Sequence, residues 1–419
     1  MEKKGFHTDL AVIGGGAAGF FAAVNAARLL PGMKVSVFEK SGKILSKVRV
    51  SGGGRCNVTH HCFEPSELIR NYPRGGKELR GPFTRFGPLQ TIEWFEKRGL
   101  KLKTEEDGRM FPVTDSSESV IQVLLHDAEK YEVRVSMHSG VKEIIRSGEG
   151  FELHFDNGGV VRSKYVLIAF GGHPKSDAYD IIRNLGHTIV QPVPSLFTFN
   201  VPDAALRELM GVSVERATVR IVGEKFTVTG PVLITHWGFS GPAVLKMSSF
   251  QAEHLAKKNY NCAFEINWLN EQADDVVEKL KALKSHQKNA QVLSSSSFLL
   301  PKRLWSYLCF KSGISDKLKW ADLSNDQLRR LTSALCADQY QMKGKTTFKE
   351  EFVTCGGVEL SEVNFKTMES RIVPGLFFAG ECLNIDAVTG GFNFQAAWTT
   401  GWTAACAVTG IPSEQAEII

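Results

Sequence analysis

Residues 9–30 read DLAVIGGGAAGFFAAVNAARLL, and this stretch decides the fold. The apolar run Asp9 to Ile13 reads as a buried parallel strand. Gly14, Gly16 and Gly19 follow in the spacing G-x-G-x-x-G, and a helical pattern begins among them. A strand that turns sharply into a helix needs a glycine at the turn. It needs a second glycine where backbone approaches a pyrophosphate and a third where helix packs on strand. The free N–H groups and positive dipole end of the helix then face the phosphates. The spacing alone is weak, so its context matters. A second apolar strand, Lys34 to Phe38, ends at Glu39, about twenty residues beyond Gly19, where an acid for the ribose hydroxyls of a dinucleotide belongs. A secretory signal is the alternative, with Lys3 and Lys4 ahead of an apolar stretch. Asp9 directly before the apolar run argues against it, as does the glycine spacing.

A chain of 419 residues exceeds one simple core and implies two or three domains. Its 43% apolar and 23% charged residues are ordinary for a globular enzyme. The net charge of +5 is small, and Lys and Arg are scattered, so neither a nucleic acid nor a membrane partner is expected. The eight cysteines stand singly, with no C-x-x-C pair, so no metal site is expected. Free thiols suit a reducing cytoplasm, the compartment expected here. No transmembrane helix is expected, because Asn25 and Arg28 break the longest apolar segment.

After the first βαβ unit comes KILSKVRVSGGGRCN. Gly52, Gly53 and Gly54 let backbone N–H groups converge, and Lys47, Arg49 and Arg55 add positive charge. This reads as a second contact to the same cofactor, against the alternative of a surface linker. Residues 60–110 read as loops with a helix over Leu89 to Arg98. A second helix is expected from about Ser116 to Lys130, capped by Asp115 or Ser116. Strands are expected at Glu132 to Met137, Val141 to Ile145, Phe151 to Phe155, Val160 to Ser163 and Tyr165 to Gly172. The last ends in Gly171 and Gly172, where backbone can approach a ligand.

From about Pro192 the pattern changes to β-like runs at Phe197 to Val201, Val212 to Val222 and Lys225 to Thr229. LITHWGFSGPAVL, Leu233 to Leu245, reads as strand, glycine-rich turn and a helix started at Pro242. Asn261 to Asn267 is a further strand, and residues 270–340 read as helical. The closing segment, GLFFAGECLNIDAVTGGFNFQAAWTTGWTAACAV from Gly375 to Val408, returns to strand, glycine-rich turn and helix. The middle is therefore an insertion.

GGGAAG with Glu39, SGGGRCN, TCGGV (Thr354 to Val358), TMES (Thr367 to Ser370), THWGFSGPAVL and the closing segment lie in the order of one family. The chain resembles the BaiN-type FAD-binding flavoproteins, described as NAD(P)/FAD-dependent oxidoreductases or aminoacetone-oxidase-like proteins. More distantly it is similar to fumarate-reductase-like flavoproteins. The resemblance implies an α/β fold: a Rossmann-like FAD-binding domain with an inserted β-barrel-like domain and a small helical subdomain. The expected division is 1–192 and 354–419 for the FAD-binding domain, 193–268 with 341–353 for the β-rich insertion, and 269–340 for the helices. By the same resemblance, Gly14, Gly16, Ala17 and Ala18 line the pyrophosphate, and Glu39 and Lys40 hold the adenosine end. Lys47, Arg49, Ser51, Gly52, Gly53, Arg55, Cys56 and Asn57 contact the inner half. Gly380, Glu381, Asp386, Gly391, Phe392 and Asn393 close over ribityl and ring, with Val141, Ala169 and Gly171 completing the set. At Ala169 to Gly172 the chain has Ala-Phe-Gly-Gly where the family often has Ala-Thr-Gly-Gly.

The cofactor expected is FAD, with NAD(P)H as a visiting donor, because no second strand–G-x-G-x-x-G–helix unit is present. The expected activity is hydride transfer between flavin and a small or medium organic substrate. The alternatives are an amine or amino-ketone oxidase using oxygen, a flavin-bound redox sensor without turnover, and an FAD-dependent RNA-modifying protein. No catalytic residue is legible. His236 and Arg55 are candidates, each with a structural role as its alternative, and Cys56 is a candidate redox thiol for which packing is the simpler role. Substrate and oligomeric state carry no signal.

Overall fold

The computed structural model describes residues 6–295, 298–346, 353–413 and 415–418. Contacts divide the chain into two compact units, Met1–Pro194 with Lys349–Ile419, and Ser195–Phe348.

The first unit opens with β1 (Phe6–Ile13), α1 (Ala17–Leu29) and β2 (Val35–Phe38). Leu10, Ala11 and Val12 are fully buried, which explains the unbroken apolar run. Next come α2 (Ser117–Lys130), β3 (Arg134–Ser136) and the meander β4 (Val141–Ser147), β5 (Gly150–Phe155) and β6 (Val160–Ile168). Ser116 caps α2, its hydroxyl accepting from the Glu118 N–H at 3.3 Å. After the middle unit the chain returns with β7 (Leu376–Phe378) and α3 (Phe392–Thr409). The parallel strands lie in the order β7–β6–β1–β2–β3, with Val12 between Leu167 and Val37. This is the strand order of a Rossmann-type sheet, closed on one side by a segment that begins hundreds of residues later.

Two expected strands, Val160 to Ser163 and Tyr165 to Gly172, are one strand, β6. Its first half pairs antiparallel with β5 and alternates exposed and buried residues. Its second half pairs in parallel with β7, and Val166 to Ile168 are buried on both faces. The neighbours change along one strand, so the pattern changes with them. Ala169 to Gly172 lie beyond its end.

Within the middle unit, seven antiparallel strands run in the order 338–343, 261–267, 213–221, 227–234, 238–240, 198–200 and 345–346. The expected strand at Lys225 to Thr229 in fact continues through Gly230 and Pro231 to Ile234. Proline is tolerated there because the partner strand bulges between Val214 and Ala217. Helices 273–286, 302–311 and 325–336 bury Val276, Trp305 and Leu331 in the same continuous core as Phe199, Phe239 and Phe264 from the sheet. No described helix is long and apolar enough to cross a membrane.

The first unit also contains a pH-sensitive packing site. His187 is 4% exposed and packs on Phe378, and its Nε2 lies 2.8 Å from the Ser370 hydroxyl. That oxygen already accepts the N–H groups of Ile372 and Val373, so its proton goes to a neutral imidazole. Burial holds the His187 pKa below its ordinary 6.5. The unfolded chain takes up a proton near pH 6.5 that the fold refuses, so stability is full above that pH and falls below it. Urea midpoints from pH 7.5 to 5.5 should show a slope up to about 1.4 kcal/mol per pH unit that His187→Gln removes. Equal slopes in both proteins would refute the assignment.

Candidate functional site

The glycine-rich turn has the geometry its spacing demands. Gly14 has φ +113°, and a Cβ there would lie 2.5 Å from the Ala169 carbonyl and the Phe170 Cα, so only glycine lets β1 end against β6. A Cβ on Gly19 would sit 2.1 Å from the Gly14 carbonyl, which sets how closely α1 returns over the strand. Gly16 differs, since a Cβ there would meet nothing within 4 Å. It is the N-cap of α1, no side chain caps that helix, and the N–H groups at Ala17 and Ala18 begin its first turn. Glu39 reaches this turn: its Oε2 accepts from the Gly15 N–H and its Oε1 from the Ser41 N–H, both at 2.8 Å. Lys40 is exposed beside Gly140, and half-buried Val141 follows it, so these two flank the same edge.

The second loop and the closing segment meet. Residues 46–54 form helical turns kinked at Ser51, Gly52 and Gly53, and Gly53 (φ +68°) and Gly54 (φ +85°) have open space where a side chain would project. Asn57 then accepts from the Met110 N–H at 3.3 Å. Gly391 (φ +88°) fits only as glycine, because a Cβ would lie 2.4 Å from the Thr59 carbonyl and 2.8 Å from Asn57 Oδ1. Gly391 is the N-cap of α3, again with no side-chain cap. Asn393 bonds both the N–H and the carbonyl of Ala387, at 2.9 and 3.1 Å, and so fixes the loop ahead of that helix. Phe392 is buried, stacked on His60 at 4.6 Å, and its carbonyl accepts from Tyr72 OH at 2.6 Å.

A third contact joins Glu381, Lys47 and Thr354. Lys47 Nζ lies 2.7 Å from Glu381 Oε2, and Glu381 Oε1 accepts from the Thr354 N–H at 2.8 Å. Gly172 packs on both: a Cβ would come within 2.5 Å of Thr354 Oγ1 and 2.6 Å of Glu381 Oε1. Gly171 (φ +81°) beside it faces open space. Gly380 (φ +75°) abuts Ala18, where a Cβ would lie 2.8 Å from the alanine methyl. The strand end at Ala169, the first turn and the closing segment thus converge.

Other expected contacts have protein partners of their own. Arg49 is exposed and paired with Glu118. Arg55 pairs with Glu105 at 2.6 Å and lies over the Phe111 ring at 4.0 Å. Ser51 donates to the Val48 carbonyl at 3.0 Å. Asp386 is fully buried in a two-pronged pair with Arg74. Arg74 had no motif to mark it, and its one signal is the Gly75–Gly76 pair that follows. His236 belongs to the middle unit, on the turn Thr235 to Gly238 beside exposed Trp237. Among the described residues, no group of three or more His, Cys, Asp or Glu is placed to hold a metal ion.

Cys56 is fully buried, and burial pushes its thiol up to about 12. A thiol so placed is nearly all protonated at neutral pH and is a poor nucleophile. Iodoacetamide at pH 8 should leave Cys56 unmodified in the native chain, as mass mapping of the digest would show. Rapid labelling would restore the redox reading.

These residues fit a long dinucleotide. The N-termini of α1 and α3 both lack a side-chain cap, and Gly16, Gly53, Gly54 and Gly171 leave open space beside backbone. Thr354 Oγ1 is buried with no hydrogen-bond partner among the described residues, which leaves one donor to be satisfied next to Gly172. Comparison with known proteins agrees. A family model described as HI0933-like protein Rossmann domain matches residues 8–407. The chain is 31% identical over 409 residues to a ribosomal RNA dihydrouridine synthase of Escherichia coli (strain K12), covering 95% of this chain and 97% of that one. It is 28% identical over 408 residues to a 3-dehydro-bile acid delta(4,6)-reductase of Clostridium scindens, covering 94% and 97%. Among solved structures, a 3-ketosteroid-delta4-(5alpha)-dehydrogenase of Rhodococcus jostii RHA1 shares the fold at a TM-score of 0.52 and 14% identity, covering 98% of each chain. The chain belongs to the HI0933-like Rossmann-domain family, a family of flavoprotein oxidoreductases.

Proposed function

We propose that the protein is an FAD-dependent reductase that adds hydrogen across a carbon–carbon double bond conjugated to a carbonyl, with NADH or NADPH as electron source. One observation carries this reading. Two relatives matched over nearly their whole length have names that describe the same bond change. A 3-dehydro-bile acid with Δ4,6 unsaturation is a conjugated enone. Dihydrouridine is uridine saturated at the ring double bond next to a carbonyl. Two carriers of the group fit those names, an apolar polycycle and an RNA. FAD, when bound, supplies the hydride chemistry.

The chain's own residues hold and orient that cofactor. The Ala17 and Ala18 N–H groups at the uncapped end of α1 take the pyrophosphate over open Gly16. Glu39 takes the ribose hydroxyls. The N-terminus of α3 offers a positive end to the ring half. Thr354 Oγ1 supplies a hydrogen-bond donor. The Lys47–Glu381 pair ties the second loop to the closing segment.

The test is anaerobic. NADPH or NADH should bleach the bound flavin, and a 3-oxo-4-ene steroid or a uridine-containing RNA should restore the yellow spectrum. Amines should not bleach it. Bleaching by an amine with reoxidation by oxygen alone would give the oxidase reading instead. A flavin that no donor reduces would give the sensor.

A further inference from the structure

Along the sequence Lys and Arg are evenly scattered, which led to the expectation of no nucleic-acid partner. Between the two units they are not. Ser195–Phe348 carries 20 Lys and Arg against 14 Asp and Glu, while the rest of the chain carries 30 against 31. The excess has a place.

We propose that the middle unit docks the phosphate backbone of a single-stranded RNA on the patch formed by Lys257, Lys258, Lys343 and Lys345. The proposal rests on the reading above and chooses its carrier. Helix 252–257 ends at Lys258, and the next two residues, Asn259 (φ +49°) and Tyr260 (φ +54°), both turn left-handed. That tight turn sends the chain into strand 261–267, where Asn261 lies opposite Lys343. The Gly344 N–H donates to the Tyr260 carbonyl at 2.8 Å, so the second strand is fastened to the turn. Lys345 Nζ then lies 4.8 Å from the centre of the half-buried Tyr260 ring and 6.0 Å from that of Phe197. Four lysines thus stem from one turn and one strand end.

Among the described residues no carboxylate forms an ion pair with any of the four. Neither 254–264 nor 339–346 contains Asp or Glu. Of the acids at the margins, Glu224 faces His254, Glu265 pairs with Arg220 and Asp338 with Lys311, while exposed Glu253 stands one turn before Lys257 on the same helix without an ion pair among the described residues. Lys257, Lys258 and Lys343 are exposed, with no ion pair among the described residues. Like charges held together repel, and a polyanion relieves that repulsion while releasing its own counterions. A lipid surface fits less well, because no residue of these two segments is an exposed large hydrophobic that could enter a bilayer.

The experiment uses the full FAD-loaded chain and a fluorescent, uridine-rich single-stranded RNA oligomer, with anisotropy read across a salt series. The variant is Lys257→Glu/Lys258→Glu/Lys343→Glu. Wild type should bind, and the logarithm of affinity should fall linearly with the logarithm of salt. The variant should bind about tenfold more weakly or worse at low salt, with the slope reduced by about 2. Flavin bleaching by NADPH and the melting curve should match wild type. Equal RNA affinity in both proteins, or no binding by wild type, overturns the proposal. So does binding of phosphatidylserine vesicles, lost in the variant, without RNA binding. If RNA binds at the patch but no conjugated alkene reoxidises the reduced flavin, the docking surface stands and the reductase reading falls.

Discussion

Gly16→Val is expected to lose FAD and keep the fold. Gly16 has φ −92° and ψ −170°, an extended conformation open to any residue, and a Cβ there meets nothing within 4 Å. The apo protein has no reason to object to valine. Its side chain, however, enters the space where backbone must approach the pyrophosphate. FAD affinity should fall at least about 100-fold, or about 2.8 kcal/mol, while the melting temperature of the stripped protein moves by no more than about 2 °C. Gly19→Ala should behave in the opposite way. Its Cβ would lie 2.1 Å from the Gly14 carbonyl, so α1 must shift off β1, at about 1–3 kcal/mol of stability in the stripped protein. Flavin fluorescence titration and thermal melting of both variants separate the two roles. A Gly16→Val protein that holds FAD as tightly as wild type would move the pyrophosphate off this turn.

The two glycines differ by contact, and the sequence spacing alone does not separate them. Spacing was enough for the first βαβ unit, because strand, turn and helix there are contiguous and each states its own rule. Glu39 was legible for the same reason, since a fixed number of residues carries the chain from turn to second strand. The closing helix was legible from small residues after Gly391. What was not legible depends on neighbours distant in sequence. β6 read as two strands because β5 flanks one half and β7 the other. Strand 227–234 read as ending before Pro231, because the bulge that excuses a proline belongs to its partner. Arg49 and Arg55 read as charges for a cofactor, yet Glu118 and Glu105, far along the chain, face them. The charge excess of the middle unit could be counted from its expected bounds, but only the strand pairing that sets Asn261 opposite Lys343 brings the lysines of 257–258 and 343–345 to one place. Thr354 was quoted only as part of a motif, and burial is what reveals its unpartnered hydroxyl.

Arg74→Met should cost about 3–5 kcal/mol, the largest loss expected from any single polar side chain in the closing segment's surroundings. The Asp386 carboxylate is completely buried, and the Arg74 guanidinium meets it through Nε and one terminal nitrogen. Their backbones also bridge, and a Cβ on Gly75 would lie 2.4 Å from the Ile385 side chain, so the two segments touch closely. Without Arg74 a charged carboxylate stays fully buried with its main counter-charge gone. Asp386→Asn keeps the shape and removes the charge, so it should cost less. The double variant Arg74→Met/Asp386→Leu removes both charges and should recover a large part of the loss. Urea unfolding of the stripped protein gives the three values. FAD binding should weaken in Arg74→Met, because the pair anchors the loop that Asn393 then fastens to the start of α3. Additive single and double values would show that the pair contributes nothing as a pair. A cost below about 1 kcal/mol for Arg74→Met would mean that water reaches Asp386 and that the loop is held by Asn393 alone.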